Sequence, residues 1–240
     1  MSRRYAGVEI ALVVAFMIGT CQAKLKDGCK LETLQACGDD YLPYGKGPHL
    51  ATSGEPFVKQ CGTFKEQIMC SKNFVRDCLD GASKAAALVA LETYKESIDE
   101  ICTTGSKQNE AYHKSVGCLN SVGAKLHGCV NSLLGNINKA VLKAPQKDVI
   151  AHVCCSYGGL LDCVEPALTP CEKVGGKEFT LSLVDKVLGE VLTPFCKNYK
   201  RGSDSCKALP NLPALGPHDR KFKSFVELII EAVHTAILKN

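Results

Sequence analysis

Little net charge, no apolar run of membrane length and no recognisable nucleophile motif: these absences bound what the chain can be. Its 29 Lys and Arg nearly balance 25 Asp and Glu over 240 residues. With the basic residues scattered, that balance excludes the electrostatic footprint of a nucleic-acid binder. The apolar run Ile10 to Ile18 is too short to cross a bilayer, which needs about 20 apolar residues in a helix. No stretch alternates cleanly enough for a strand, so the class is all-α. No C-x2-C pair is present. A zinc site would have to come from His152 with Cys154, Cys155 and Cys163, and the expectation is that no metal binds. No asparagine heads an N-x-Ser/Thr sequon, so N-glycosylation is not expected. Gly45-Lys46-Gly47 is no phosphate loop, because no strand precedes it and no G-K-[ST] follows.

What the chain has in abundance is cysteine, 15 in all. Arg3 and Arg4, the apolar run and Cys21-Gln22-Ala23 form the three parts of a secretion signal over residues 1–23. Its removal takes Cys21 and leaves an even 14: Cys29, Cys37, Cys61, Cys70, Cys78, Cys102, Cys118, Cys129, Cys154, Cys155, Cys163, Cys171, Cys196 and Cys206. All are expected in disulfides, which persist in oxidising compartments, so the protein is expected to be secreted and extracellular.

The spacing repeats. Cys61, Cys70, Cys78 and Cys102 follow C-x8-C-x7-C-x23-C; Cys154, Cys163, Cys171 and Cys196 follow C-x8-C-x7-C-x24-C. A fifth cysteine follows each copy, Cys118 and Cys206. Cys29, Cys37, Cys129 and Cys155 fall outside this shared pattern. Two related modules are expected, 61–118 and 119–210, within a cysteine-rich helical domain over 61–210. Residues 24–60 precede it as a cysteine-containing loop segment, and 211–240 follow as linker and C-terminal helix. Cysteines eight residues apart on a helix are about 12 Å apart, beyond disulfide reach, so they must pair across helices. Gly81 lies midway between Cys61 and Cys102, and Gly175 midway between Cys154 and Cys196. Hairpins turning at these glycines would join Cys61 to Cys102, and Cys154 or Cys155 to Cys196. Gln146, beside Pro145, lies midway between Cys129 and Cys163.

Helical periodicity predicts a helix from a capping box at Thr63-Phe64-Lys65-Glu66 to Leu79, and a second over Ser83–Cys102. A third runs over about Asn109–Leu142, where Gly117, Gly123, Gly128 and Gly135 imply close helix contact or a break near Gly128. A fourth covers about Gln146–Leu161 and a fifth Gly176–Tyr199. Residues 38–60 and 209–217 read as loops. Residues 219–238 form an amphipathic helix with Phe222, Phe225, Val226, Ile229, Val233 and Ile237 on one face. It either simply docks on the core, or it covers an apolar groove or, led by Arg220, Lys221 and Lys223, makes weak contact with a membrane surface.

Cys118-Leu119-Asn120, Cys154-Cys155-Ser156-Tyr157, Cys163, Cys171, and the closure from Cys196 to Cys206 before Leu209-Pro210 resemble a known group. It comprises secreted, cysteine-rich helical proteins of arthropods and nematodes, including an insect haemolymph glycoprotein group, over about residues 61–210. The resemblance implies a compartment and a fold, with no settled activity.

The sharpest enzymatic reading is a hydrolase of the secreted phospholipase A2 kind, which this chain resembles in one adjacent cysteine pair. That chemistry needs CC-x2-H-D-x-C, and here Ser156-Tyr157-Gly158-Gly159-Leu160-Leu161-Asp162 follows Cys155, with no histidine. His49, His113, His127, His152, His218 and His234 lie in no nucleophile motif. Glu96, Asp99 and Glu100 read as a solvated acidic face. No catalytic residue and no cofactor are expected. A non-enzymatic extracellular binding role follows, with an unknown protein partner or, alternatively, carriage of a small apolar ligand or lipid. Two carrier patterns are missing, the C-x3-C of insect odorant-binding proteins and the C-x-C of plant lipid-transfer proteins.

Overall fold

The computed structural model describes residues 25–189, 192–193, 195–222 and 224–237. The expected signal over 1–23 lies outside them. The described residues form helices and irregular segments with no strand. No helix among them is long and apolar enough to cross a membrane.

Helix α1 is short, Leu31–Ala36. Helix α2, Gly54–Cys78, buries Phe57, Cys61, Phe64, Ile68, Ser71, Val75 and Cys78. That alternation of four and three residues keeps one face turned to the core along the helix. Helix α3, Gly81–Cys102, answers with Ala87, Leu91, Tyr94, Ile98 and Ile101 in the same rhythm. The two form an antiparallel hairpin that turns at Gly81, whose φ of +63° a side chain would oppose. The helix starts earlier than the Thr63 capping box implies, and the loop ends at residue 53. Thr63 lies within a helix whose buried face already runs from Phe57, so tertiary burial outweighs the local capping pattern.

Helices α4, Lys107–Ser121, and α5, Gly123–Lys143, divide what the sequence reads as one helix. The break falls at Val122 rather than near Gly128. Its cause is a close approach: a Cβ on Gly123 would lie 1.8 Å from the carbonyl oxygen of Pro48, whereas Gly117, Gly128 and Gly135 face open space. A 3-10 turn at Gln146–Asp148 leads into α6, Val149–Ala167, which runs through Gly158-Gly159 and beyond the expected end at Leu161. A 3-10 segment over Thr169–Val174 follows, and Gly175, at φ +78°, opens α7, Gly176–Val184. The fifth expected helix is therefore shorter. It passes at Asp185–Gly189 into a π-helical turn. Helix α8 is a single turn, Asp204–Lys207, and α9 is Phe225–Ile237.

Seven disulfides join the 14 cysteines. Cys61 bonds Cys102, and Cys154, rather than Cys155, bonds Cys196. The connectivity divides the chain differently from the spacing alone. Cys29–Cys78, Cys37–Cys70 and Cys61–Cys102 join the first cysteine to the fifth, the second to the fourth and the third to the sixth. Cys118–Cys171, Cys129–Cys163 and Cys154–Cys196 repeat that order. Cys29, Cys37 and Cys129 thus belong inside the repeat, and Cys118 opens the second half instead of closing the first. Only Cys155–Cys206 has no counterpart.

Helix α9 packs between the halves. Val226 and Ile230 join the core built on α2 and α3; Leu228 and Ala232 join the core built on α5 and α6. The single apolar stripe read from the sequence is a wall buried on nearly every side. Glu227 and Glu231 are 1% and 2% exposed. Arg220 donates to both, at 2.7 and 3.1 Å, and Gln35 donates to Glu227 at 3.1 Å. The helix is docked on the core, and Arg220 is engaged with buried carboxylates, which an apolar interior tolerates only when they are paired; Lys223, expected beside it at the start of the helix, lies outside the described residues.

Candidate functional site

The two halves and α9 enclose a cavity of about 400 Å³. Tyr41, Phe64, Leu91, Tyr94 and Ile98 face it from the first half; Leu126, Leu133, Ile137, Val153 and Leu160 from the second. Phe225, Val226, Ile229, Ala232 and Val233 of α9 form a third wall, and Val187 and Leu188 of the π-helical turn a fourth. Gln60, Thr180 and the tyrosines are the polar side chains on the lining, and no charged residue faces it among the described residues. Phe195, 59% exposed, lines its edge.

The tyrosine hydroxyls are turned to the protein. Tyr94 donates to the carbonyl of Tyr41. Tyr112 donates to Ala51 O at 2.6 Å and accepts from Gln60 Nε2 at 3.2 Å. Tyr44 donates to Asn120 Oδ1 at 3.4 Å. Burial, then the Asp185 carboxylate, pushes the Tyr157 phenol up to about 12. Burial raises Tyr41, Tyr44 and Tyr94 as well, so all four stay neutral at physiological pH.

One rim of the cavity is the irregular segment 38–53, held down by polar clamps that sequence reasoning did not single out. Asn120 accepts the Leu50 N–H at 2.9 Å and donates to the Leu50 carbonyl at 2.8 Å. His113 Nδ1 donates to Thr52 O at 2.9 Å, and His127 Nδ1 to Tyr44 O at 2.5 Å. Each ring takes a hydrogen bond on Nε2 from an asparagine four residues away, Asn109 and Asn131. Tyr44 is held at φ +58°, a conformation uncommon outside glycine. The i,i+4 Asn–His pairing on two successive helices was the available signal in the sequence.

Other residues weighed for chemistry are not brought together. Asp99 meets Lys65 at 3.0 Å and Lys95 at 2.6 Å, and Glu100 meets Lys186 at 3.4 Å. Partial burial opposes the Asp99 charge, but the two ammonium groups outweigh it and hold its pKa below the ordinary value. Lys46 pairs with Asp39 at 2.5 Å. His152 is partly buried with Nε2 lacking a hydrogen-bond partner, and burial lowers its pKa. Cys154, Cys155 and Cys163, the other members of the zinc reading, are each bonded to another cysteine. No group of three or more His, Cys, Asp or Glu among the described residues is placed to hold a metal.

A family model described as "Protein of unknown function (DUF1397)" matches residues 49–192. The chain belongs to that family. The match takes in the end of the irregular rim, helices α2 to α7 and the π-helical turn. No curated protein and no solved structure matches the chain.

Proposed function

We propose that this family member is a non-enzymatic extracellular protein that encloses one small apolar molecule between its two halves. The observation that carries the reading is the cavity itself. Native cores are packed with few voids larger than a water molecule. Leaving about 400 Å³ unfilled would cost on the order of 10 kcal/mol at ~24 cal/mol per Å³, comparable to the whole stability of a domain. A space of that size lies in the range of small-molecule sites, about 300–1,000 Å³. Seven disulfides support an oxidising compartment. The likeness to haemolymph proteins accords with it. Recognition of a protein partner has less support, because the exposed large apolar side chains are few and spread out: Val58 and Met69 lie about three turns apart on α2, Val89 is on α3 and Phe195 follows the π-helical turn.

Organic extraction of the protein purified from its natural source, followed by mass spectrometry, tests the reading. One apolar species in near-equimolar amount is expected. Extracts matching those of a control protein handled identically would contradict it.

A further inference from the structure

Resting on that reading, we infer that the ligand is a neutral, largely hydrocarbon molecule, such as a long-chain alcohol, a fatty ester or an isoprenoid, and not a fatty acid anion. A carboxylate buried in an apolar site needs a cation or several convergent donors. No lysine, arginine or histidine lines the cavity among the described residues. Arg220, which meets the helix of the third wall, is bound to Glu227 and Glu231. Those two acids fall on the side of α9 opposite Phe225, Ile229 and Ala232, by the helical spacing of 100° per residue.

Most tyrosine hydroxyls on the lining are committed too. Tyr94, Tyr112 and Tyr44 give their protons to Tyr41 O, Ala51 O and Asn120 Oδ1. Tyr157 is engaged with Asp185. The buried Tyr41 hydroxyl has no well-formed partner, and the side chain influencing it is Ser71, which does not line the cavity. The hydroxyls of Tyr41 and Thr180 remain, and two neutral donors on different elements are not the cation or converging set that a carboxylate needs, so an anionic head group would lose most of its hydration without replacement, whereas an alcohol or ester loses little. The wall selects by the charge of the ligand.

Displacement of the neutral fluorophore N-phenyl-1-naphthylamine from the disulfide-intact protein at pH 8 tests this. 1-Hexadecanol, methyl palmitate and palmitate share nearly one chain length and differ at the head. The alcohol and the ester are expected to displace the probe at concentrations ~10-fold or more below palmitate, the ratio corresponding to a modest unpaid desolvation. Leu134→Arg, which places a cation on the lining, is expected to narrow or reverse that ratio. Palmitate binding as tightly as the neutral pair, or a ratio unmoved by Leu134→Arg, would overturn the inference while leaving the cavity as a ligand site. Failure of the fluorophore and all three lipids to bind would instead remove the ligand-site reading, and the inference with it.

Discussion

The two halves carry one disulfide plan on two different helical frames. Between corresponding cysteines the chain lengths match almost residue for residue: bonded pairs are 49, 33 and 41 residues apart in the first half and 53, 34 and 42 in the second. The helices do not match. After Cys37 the first half runs irregularly through residue 53, whereas after Cys129 the second half continues α5 to Lys143. The first half has a single unbroken α2 of 25 residues. Its counterpart is α6 followed by a 3-10 segment, with Pro166 and Pro170 at the junction. The comparison teaches that the cross-links fix which segments meet, while local residues decide how each segment is coiled. Where the first half lacks a long partner helix, α9 lies against α3 and closes the cavity.

Removing α9 should break that comparison most severely. Val226, Leu228 and Ile230, each 3% exposed or less, contribute about 1.5–3 kcal/mol apiece on burial. A chain ending at Pro217, its disulfides intact, is expected to lose cooperative thermal unfolding and to bind dyes that report exposed apolar surface. An unchanged melting temperature would show that the halves are self-sufficient.

The cross-links come next. Replacing Cys61 and Cys102 by serine should cost about 2–4 kcal/mol, because no second cross-link closes that loop. Replacing Cys154 and Cys196, or Cys155 and Cys206, should cost less, since each of these bonds closes nearly the loop that the other closes. Urea denaturation of the three double variants decides. Equal losses from Cys61–Cys102 and Cys154–Cys196 would show that the extra bond of the second half gives no redundancy.

Gly123→Ala drives a methyl group into the Pro48 carbonyl and should destabilise by about 1–3 kcal/mol. Gly128→Ala, with nothing within 4 Å, should stabilise α5 by about 0.5–1 kcal/mol. Opposite shifts in urea midpoint are the expected result, and two shifts of one sign would place the break in the wrong turn.

The smallest effect is electrostatic. Burial lowers the His152 pKa in the folded protein, so the unfolded chain binds its proton more readily. The stability from keeping this ring neutral is present above pH ~6.5 and declines as the pH falls below that value. His152→Gln should flatten the melting-temperature profile between pH 7.5 and 5. An equally steep profile in the variant would assign the slope to other groups.

Much of this fold is legible in the sequence because cysteine spacing and hairpin geometry are linked. Glycines midway between bonded cysteines mark the turns, and Cys61–Cys102 follows from them. The placement of Cys29 and Cys37 was not legible, because their half carries a six-residue helix where the other carries parts of two long ones. The break at Val122 was hidden for a similar reason: its cause, Pro48, is distant in the chain. The cavity was least legible. A residue at helical spacing that fills a core and one that lines a hollow look alike in sequence. The burial of Glu227 and Glu231 was not legible either, because it depends on Arg220, which lies seven and eleven residues earlier and outside the helix.

The central claim, one apolar site between the two halves, is tested most directly by titrating the native protein with N-phenyl-1-naphthylamine while following tyrosine emission. The chain has no tryptophan, and Tyr41, Tyr44, Tyr94, Tyr112 and Tyr157 all line the cavity, so among the described tyrosines only Tyr199 adds emission from outside the site. Saturable quenching at one probe per chain is expected, lost in Ile229→Trp, which fills the cavity, and retained in Val89→Trp, which adds the same ring on the exposed side of α3; for these two variants the enhanced probe fluorescence replaces tyrosine emission as the readout. Absence of saturable binding in the native protein, or equal binding in both variants, would contradict it.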